Sequence, residues 1–209
     1  MRNYRDNWFN VGAVLAVVIA GALAVSHRRL SRPRLYSALN LAALMVHQFE
    51  EYGFPGYFPG MLNGGIFKSD KPDRYPLNTD SALIANAVFG YPFYLLPVLF
   101  PQRRSLGLAA VLFGFLQAVF HAILPSLRAN ARYGPGFLTA LFLHVPIGIN
   151  YIRAVGCERP SGRGEWARAA ALTVSVGALG IGAPIRLLRD EESPYRFTER
   201  QVGPYGKDG

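Results

Sequence analysis

The sequence predicts an all-α fold: a polytopic transmembrane helical bundle of about six helices, or five if the first is a cleaved signal. Three observations lead there. Apolar residues make up 51% of the chain and come in blocks, with the charges almost wholly between them. The blocks, at about 8–26, 35–52, 81–100, 106–125, 136–155 and 166–188, run 18–23 residues each. A helix rising about 1.5 Å per residue needs that length to cross about 30 Å of hydrocarbon, and backbone groups in lipid must be satisfied within the segment. Gly and Pro also recur inside the blocks (Gly90, Pro92, Pro97, Gly148, Gly177, Gly180), a usage tolerated in membrane helices more than in soluble ones.

The first block follows Arg2 and Arg5, runs through Val11 to Ala20 and ends at Ala22-Leu23-Ala24. A secretory signal over residues 1–24 would share these features. Trp8 and Phe9 extend the run, Trp8 suits an interfacial anchor, and the basic cluster of Arg28, Arg29, Arg32 and Arg34 follows like a stop-transfer flank. A retained helix is therefore expected, with residues 1–34 forming that helix and a basic loop. Residues 35–153 hold the next four blocks and form the central helical membrane domain. The connection at about 53–80, with its GFPGYFPGMLNGG run, is too apolar for a simple linker; it is expected on the membrane surface or capping the bundle. Residues 154–189 supply a loop and a last helix, and the polar stretch 190–209 is expected to be a mobile tail. No internal repeat, phosphate-binding glycine loop, nucleophile elbow or HExxH run is present.

The net charge of +9 comes from 19 Arg and 3 Lys against 13 acidic residues. The basic residues sit in short interhelical loops, with no stripe along one face and no interleaved aromatic platform, so nucleic acid is not the expected partner. Membrane lipids are, through their anionic headgroups. Basic residues divide nearly evenly between the two ends of a six-helix chain, so the positive-inside rule leaves orientation open. Cys157 is the single cysteine, which excludes an intrachain disulfide and a thiolate cluster. Arg-heavy, Ala- and Gly-rich usage points to a bacterial cell membrane.

Of the acidic residues, only Glu50 and Glu51 lie within an apolar block, in LMVHQFEEYGF. A charged group in the bilayer costs at least about 2.5–3.5 kcal/mol, so it is normally paired, protonated or turned to a cavity. At about 100° per residue, Tyr36, Asn40, His47 and Glu51 fall within about 60° of one another, with Glu50 about 60° to the other side of His47. Ala38, Ala42, Met45 and Phe49 lie opposite. Glu50 and Glu51 can be read as wet residues at a helix end, but Asn40 and His47 continue the polar stripe deeper. Other blocks offer partners: Asn86, and the i,i+4 pair Gln117 and His121. His144 lies about 140° around its helix from Thr139 and is expected to be peripheral. Two His nitrogens with one or two Glu oxygens suit a Zn, Fe or Mn ion, and a His-x-x-Glu pair on one helix can reach a single ion.

His47-Gln48-Phe49-Glu50-Glu51, followed by Asn86, His121, Arg132-Tyr133-Gly134-Pro135-Gly136, Thr139 and Pro146, resembles the HXXEE-domain family of small multi-helix membrane proteins over about Leu35 to Ile149. The resemblance implies that His47, Glu50, Glu51, Asn86 and His121 belong to a shared polar site. It implies no substrate.

The leading expectation is an intramembrane enzyme, metal-dependent or metal-free acid–base, acting on a hydrophobic, lipid-like or isoprenoid substrate. His47, Glu50 and His121 would ligate the ion, and Glu51 would be a fourth ligand or the general base. Asn86, Gln117, Asn40, Tyr36 and Tyr133 would orient ligands or substrate. A proton- or ion-coupled carrier is the alternative, since Gly90-Tyr91-Pro92 and Pro97 interrupt a helix as in broken-helix sites; a homodimer would then supply the missing half. An accessory membrane factor with structural polar residues is the third reading.

Overall fold

The computed structural model describes residues 2–206, with side chains from Tyr4 onward; Arg2's side chain and the last three residues of the expected tail lie outside it. Among the described residues the chain is all helix, turn and loop, with no strand. Six long helices carry the fold: α1 (Trp8–Arg29), α2 (Arg32–Tyr52), α3 (Thr79–Leu99), α4 (Arg104–Arg128), α5 (Phe137–Glu158) and α6 (Arg163–Leu187). Five of them are long and apolar enough to cross a membrane. The exception is α2, which is 21 residues long but carries Arg32, Arg34, Glu50 and Glu51. It can do so because it runs through the middle of the bundle, packed on α1, α3 and α5, with most of its side chains buried. The others turn apolar side chains outward, such as Val17, Val25, Leu127, Phe142, Val174 and Leu179, the kind of exposure that marks a membrane- or partner-facing surface.

Three of the long helices widen into π-helical stretches, at Ile84–Gly90 in α3, Ala140–His144 in α5 and Val176–Gly182 in α6. Each ends two residues before a proline: Pro92, Pro146 and Pro184. Proline cannot donate to the carbonyl four residues back and collides with it; shifting that turn to i→i+5 bonding is one way to relieve both. Pro97 and Pro125 sit in ordinary α-helix, so proline permits the widening without dictating it.

The alternating directions of these six helices bring the first and last described residues, the 53–78 connection and the 129–136 loop to one end of the bundle. Two apolar clusters fill the interior. One lies toward the opposite end and packs Leu41, Met45, Tyr94, Leu108, Val111 and Tyr151. The other lies under the terminal end and packs Trp8, Tyr52, Phe58, Met61, Leu77 and Phe197. His47, Glu50 and Glu51 fall between Met45 and Tyr52, at the seam of the two.

The long connection caps the bundle, one of the two places expected for it. Asn63 holds it closed: its amide donates to the carbonyls of Pro72 (2.9 Å) and Leu77 (2.8 Å), and its carbonyl accepts from Leu77 N–H (3.0 Å). The segment after Asp190 is not the loose tail that its polarity suggests. Phe197 N–H donates to Asp73 O at 2.7 Å, Gln201 Nε2 donates to Tyr52 O at 3.1 Å, and Phe197 and Val202 are buried in the second cluster. Polar composition hid two apolar anchors spaced to reach the 53–78 cap.

Candidate functional site

The last turn and a half of α2 presents His47, Gln48, Glu50 and Glu51, all 7% exposed or less. The polar stripe read from the sequence faces inward along most of its length. Asn40 Oδ1 accepts from His144 Nδ1 at 2.7 Å, and His47 and Glu51 meet His121 of α4. Tyr36 is the exception. It lies eleven residues before His47, about 16 Å along a helix, and packs against the first apolar cluster instead.

Glu51 Oε1 lies 3.1 Å from His121 Nε2 and 3.5 Å from His47 Nε2. The two imidazole rings stand edge to face, 5.0 Å apart. The Glu51 oxygen is off the in-line direction for a hydrogen bond to His121, so both ring nitrogens of that buried histidine lack a hydrogen-bond partner. One atom from each of His47, Glu51 and His121 lies within 4.8 Å of the others. That spacing fits an ion: ligands about 2.0–2.1 Å from a tetrahedral metal sit about 3.3 Å apart, and the two distances to Glu51 bracket that value.

Glu50 faces another way. Its carboxylate accepts from the backbone N–H groups of Leu138 (3.2 Å) and Thr139 (2.8 Å), from Thr139 Oγ1 (2.5 Å) and from the Tyr133 hydroxyl. Both oxygens are thus engaged at the start of α5, where free N–H groups and the helix dipole favour an anion. Glu50 is outside the convergent group, contrary to its expected place among the ligands. Tyr133 does reach the site, but through Glu50. Burial first, then the carboxylate it donates to, push the Tyr133 phenol above its ordinary range, so it stays a donor.

Thr139 joins the two carboxylates' territories. Its hydroxyl proton goes to Glu50, which leaves its oxygen to accept from His47 Nδ1 at 3.0 Å. With the proton assigned by this network to Nδ1, Nε2 of His47 presents its lone pair toward Glu51 and Gln117. Gln117 Nε2 lies 3.2 Å from that nitrogen. Asn86 is one step further out. It accepts from Gln48 Nε2 (3.2 Å) and donates to the Tyr52 hydroxyl (3.3 Å).

His144 is a correction. Its expected peripheral place assumed a regular α-helix between it and Thr139. The π stretch Ala140–His144 lies between them, and i→i+5 bonding brings residues five apart nearly into line. Thr139 and His144 therefore both face α2. His144 is 1% exposed, and its ring lies 5.5 Å from that of His47.

Gly136 completes the enclosure. It has φ +105°, and a Cβ there would lie 2.7 Å from His121 Cε1 and 2.8 Å from His47 Cε1. The 132–136 loop thus lies directly on the histidine pair, which only a residue without a side chain allows. Sequence reasoning passed over Thr139 and Gly136 as site residues. Their signal was the Gly-Pro-Gly turn opening a membrane helix, with Thr three residues on.

No curated protein and no solved structure shows significant similarity to the chain. Residues 38–151, more than half of the chain and enclosing every side chain of this cluster, match the family model described as a protein of unknown function with HXXEE motif; the chain belongs to that family.

Proposed function

We propose that the protein is a membrane-embedded enzyme whose centre is a divalent metal ion held by His47, Glu51 and His121, acting on a hydrophobic substrate. The observation that carries this reading is the convergence of two buried imidazoles on one buried carboxylate oxygen, at 3.1 and 3.5 Å, with His121 otherwise unpartnered. The donor set of two nitrogens and an oxygen suits Zn, Fe or Mn. Such an ion, when bound, would polarise a substrate carbonyl or activate water. The chain's own residues support it in defined ways. Thr139 holds the His47 ring and its tautomer, with Glu50 behind it as an outer carboxylate, the arrangement that orients metal-binding histidines elsewhere. Gln117 stands beside His47 Nε2, and turning its amide over would offer an oxygen at the same point. Glu50 anchors the enclosing loop, leaving Glu51 as the carboxylate whose proton or ligand bond would change in a reaction.

A metal-free acid–base centre is supported by the same two His–Glu51 contacts, with a proton on an imidazole nitrogen in place of an ion. The carrier reading draws support from the three π-widened helices, and predicts proton flux in proteoliposomes that Glu51→Gln abolishes.

Elemental analysis of protein purified from membranes without chelators separates these. About one Zn, Fe or Mn per chain is expected, lost in His47→Ala and His121→Ala. Thr139→Val is expected to weaken retention about 10–100-fold, as loss of an outer partner does. Wild-type protein free of metal would end the metal reading and leave the acid–base one.

A further inference from the structure

A cavity of about 280 Å³ adjoins Glu51 and His121, and its far wall lies between two helices that the bundle does not close. The first half of α6 is tied to α4: Thr173 Oγ1 donates to Ala109 O at 3.0 Å. The second half leans on α3, where Gly180 comes so near Phe89 that a Cβ would sit 3.3 Å from the Phe89 Cβ. Between these contacts α6 departs from α4, and the cavity occupies the divergence. Phe113, Gln117 and Phe120 line it from α4, and Gly177, Ile181 and Ile185 line it from α6. Both are membrane-crossing helices by length and composition, so the gap opens at the depth of the hydrocarbon.

The walls are mostly apolar, and the polar groups among them belong to the cluster already described: Glu51, His121, Gln117 and Asn86, with the Tyr52 hydroxyl. An apolar cavity with a few convergent polar groups is the usual form of a small-molecule site. Two further observations point to an occupant. His121, 2% exposed, lines the cavity with no hydrogen-bond partner for either ring nitrogen. At the lip, a Cβ on Gly177 would meet nothing within 4 Å, so the entrance has room where α6 faces α4.

We infer that this cavity takes one single-chain amphiphile from the membrane, sideways between α4 and α6, with its apolar chain along Phe113, Phe120 and Ile181 and its hydroxyl or carbonyl head at Glu51 and His121. A saturated acyl chain and an isoprenoid chain share this chemistry. A cavity of about 280 Å³, small for a small-molecule site, suits one chain rather than two. The inference rests on the reading that Glu51 and His121 are the working groups, but its test is independent of whether they hold a metal.

The probe is palmityl alcohol carrying a photoactivatable diazirine at the chain end, added to the purified protein in nanodiscs and mapped by peptide mass spectrometry. Labelling is expected at Phe113, Gln117 or Ile181, and to fall about tenfold in Gly177→Phe, which plugs the entrance without touching His47, Glu51 or His121. Unchanged thermal stability and metal content report that the variant folds; Ile185→Trp narrows the same lip if it does not. Competition by unlabelled palmityl alcohol or by geranylgeraniol tells a saturated from an isoprenoid chain. Equal labelling in the lip variants and wild type, or labelling confined to outward residues such as Val174 and Leu179, overturns the inference. Protein without metal that still labels at Ile181 keeps the cavity and removes the metal centre; metal-loaded protein labelled only on its outer face does the reverse.

Discussion

Gly136→Ala is expected to destabilise the protein by roughly 2–5 kcal/mol and to disorganise the histidine pair. Two separate penalties add. A φ of +105° lies in the left-handed region, where an L side chain costs about 1–2 kcal/mol. The new methyl would also meet His121 Nε2 at 2.8 Å and His47 Cε1 at 2.8 Å, and overpacking of this kind costs about 1–3 kcal/mol. Neither ring can retreat freely. Thr139 holds His47 by its Nδ1, and Phe58 and Phe120 flank His121 with ring centroids 5.3 and 5.2 Å away. The methyl therefore moves the ring nitrogens or the loop, and either change opens the arrangement around Glu51. Gly156→Ala is the control. A Cβ there meets nothing within 4 Å, and in a helix the change is expected to be neutral or to stabilise by up to about 1 kcal/mol. Thermal unfolding in detergent with metal content alongside checks the pair. Equal melting temperatures for the two variants would remove Gly136 from the site.

Much of this architecture was legible because lipid imposes a simple rule on sequence. Blocks of 18–23 apolar residues become helices whatever their neighbours do, and all six recur in the structure. The inward stripe on α2 was legible for a related reason: in an apolar block, Asn40, His47 and Glu51 stand out, and 3.6-residue periodicity places them together. Periodicity failed where the helix was not an α-helix. The π stretch Ala140–His144 carried His144 inward, and its only mark in the sequence is a proline two residues later, which Pro97 and Pro125 show is not sufficient. The His-x-x-Glu spacing also misled. Residues i and i+3 can reach one ion, yet about 100° of helical rotation turns Glu50 to the α5 terminus and its neighbour Glu51 to His121. The 190–206 segment was misread for a third reason, since two buried anchors, Phe197 and Val202, suffice to dock an otherwise polar stretch.

The two carboxylates are expected to fail in different ways when replaced. Glu50→Ala removes the common acceptor of Leu138 N–H, Thr139 N–H, the Thr139 hydroxyl and the Tyr133 hydroxyl. Each buried donor left without a partner costs about 1–3 kcal/mol; with some re-solvation through the loop, a total loss of roughly 3–5 kcal/mol is expected. Glu50→Gln should fall between, because its amide keeps one acceptor oxygen but turns an N–H₂ toward groups that are themselves donors. Glu51 has no such crowd. Its partners are His47 and His121 alone, and Glu51→Gln keeps the shape and one acceptor while removing the charge that would hold an ion. A stability change of about 1–2 kcal/mol is expected, since with both imidazoles neutral no buried charge is left unpaired once the carboxylate is gone, together with loss of the metal. Unfolding curves and elemental analysis on the same preparations separate the roles: Glu50 variants melt early yet bind an ion while folded, weakened no more than in Thr139→Val, and Glu51→Gln melts near the wild type with its site empty. The reverse pattern would return Glu50 to the ligand set. Two variants failing alike would mean that the loop and the centre form one cooperative unit, with Thr139 as the joint between them.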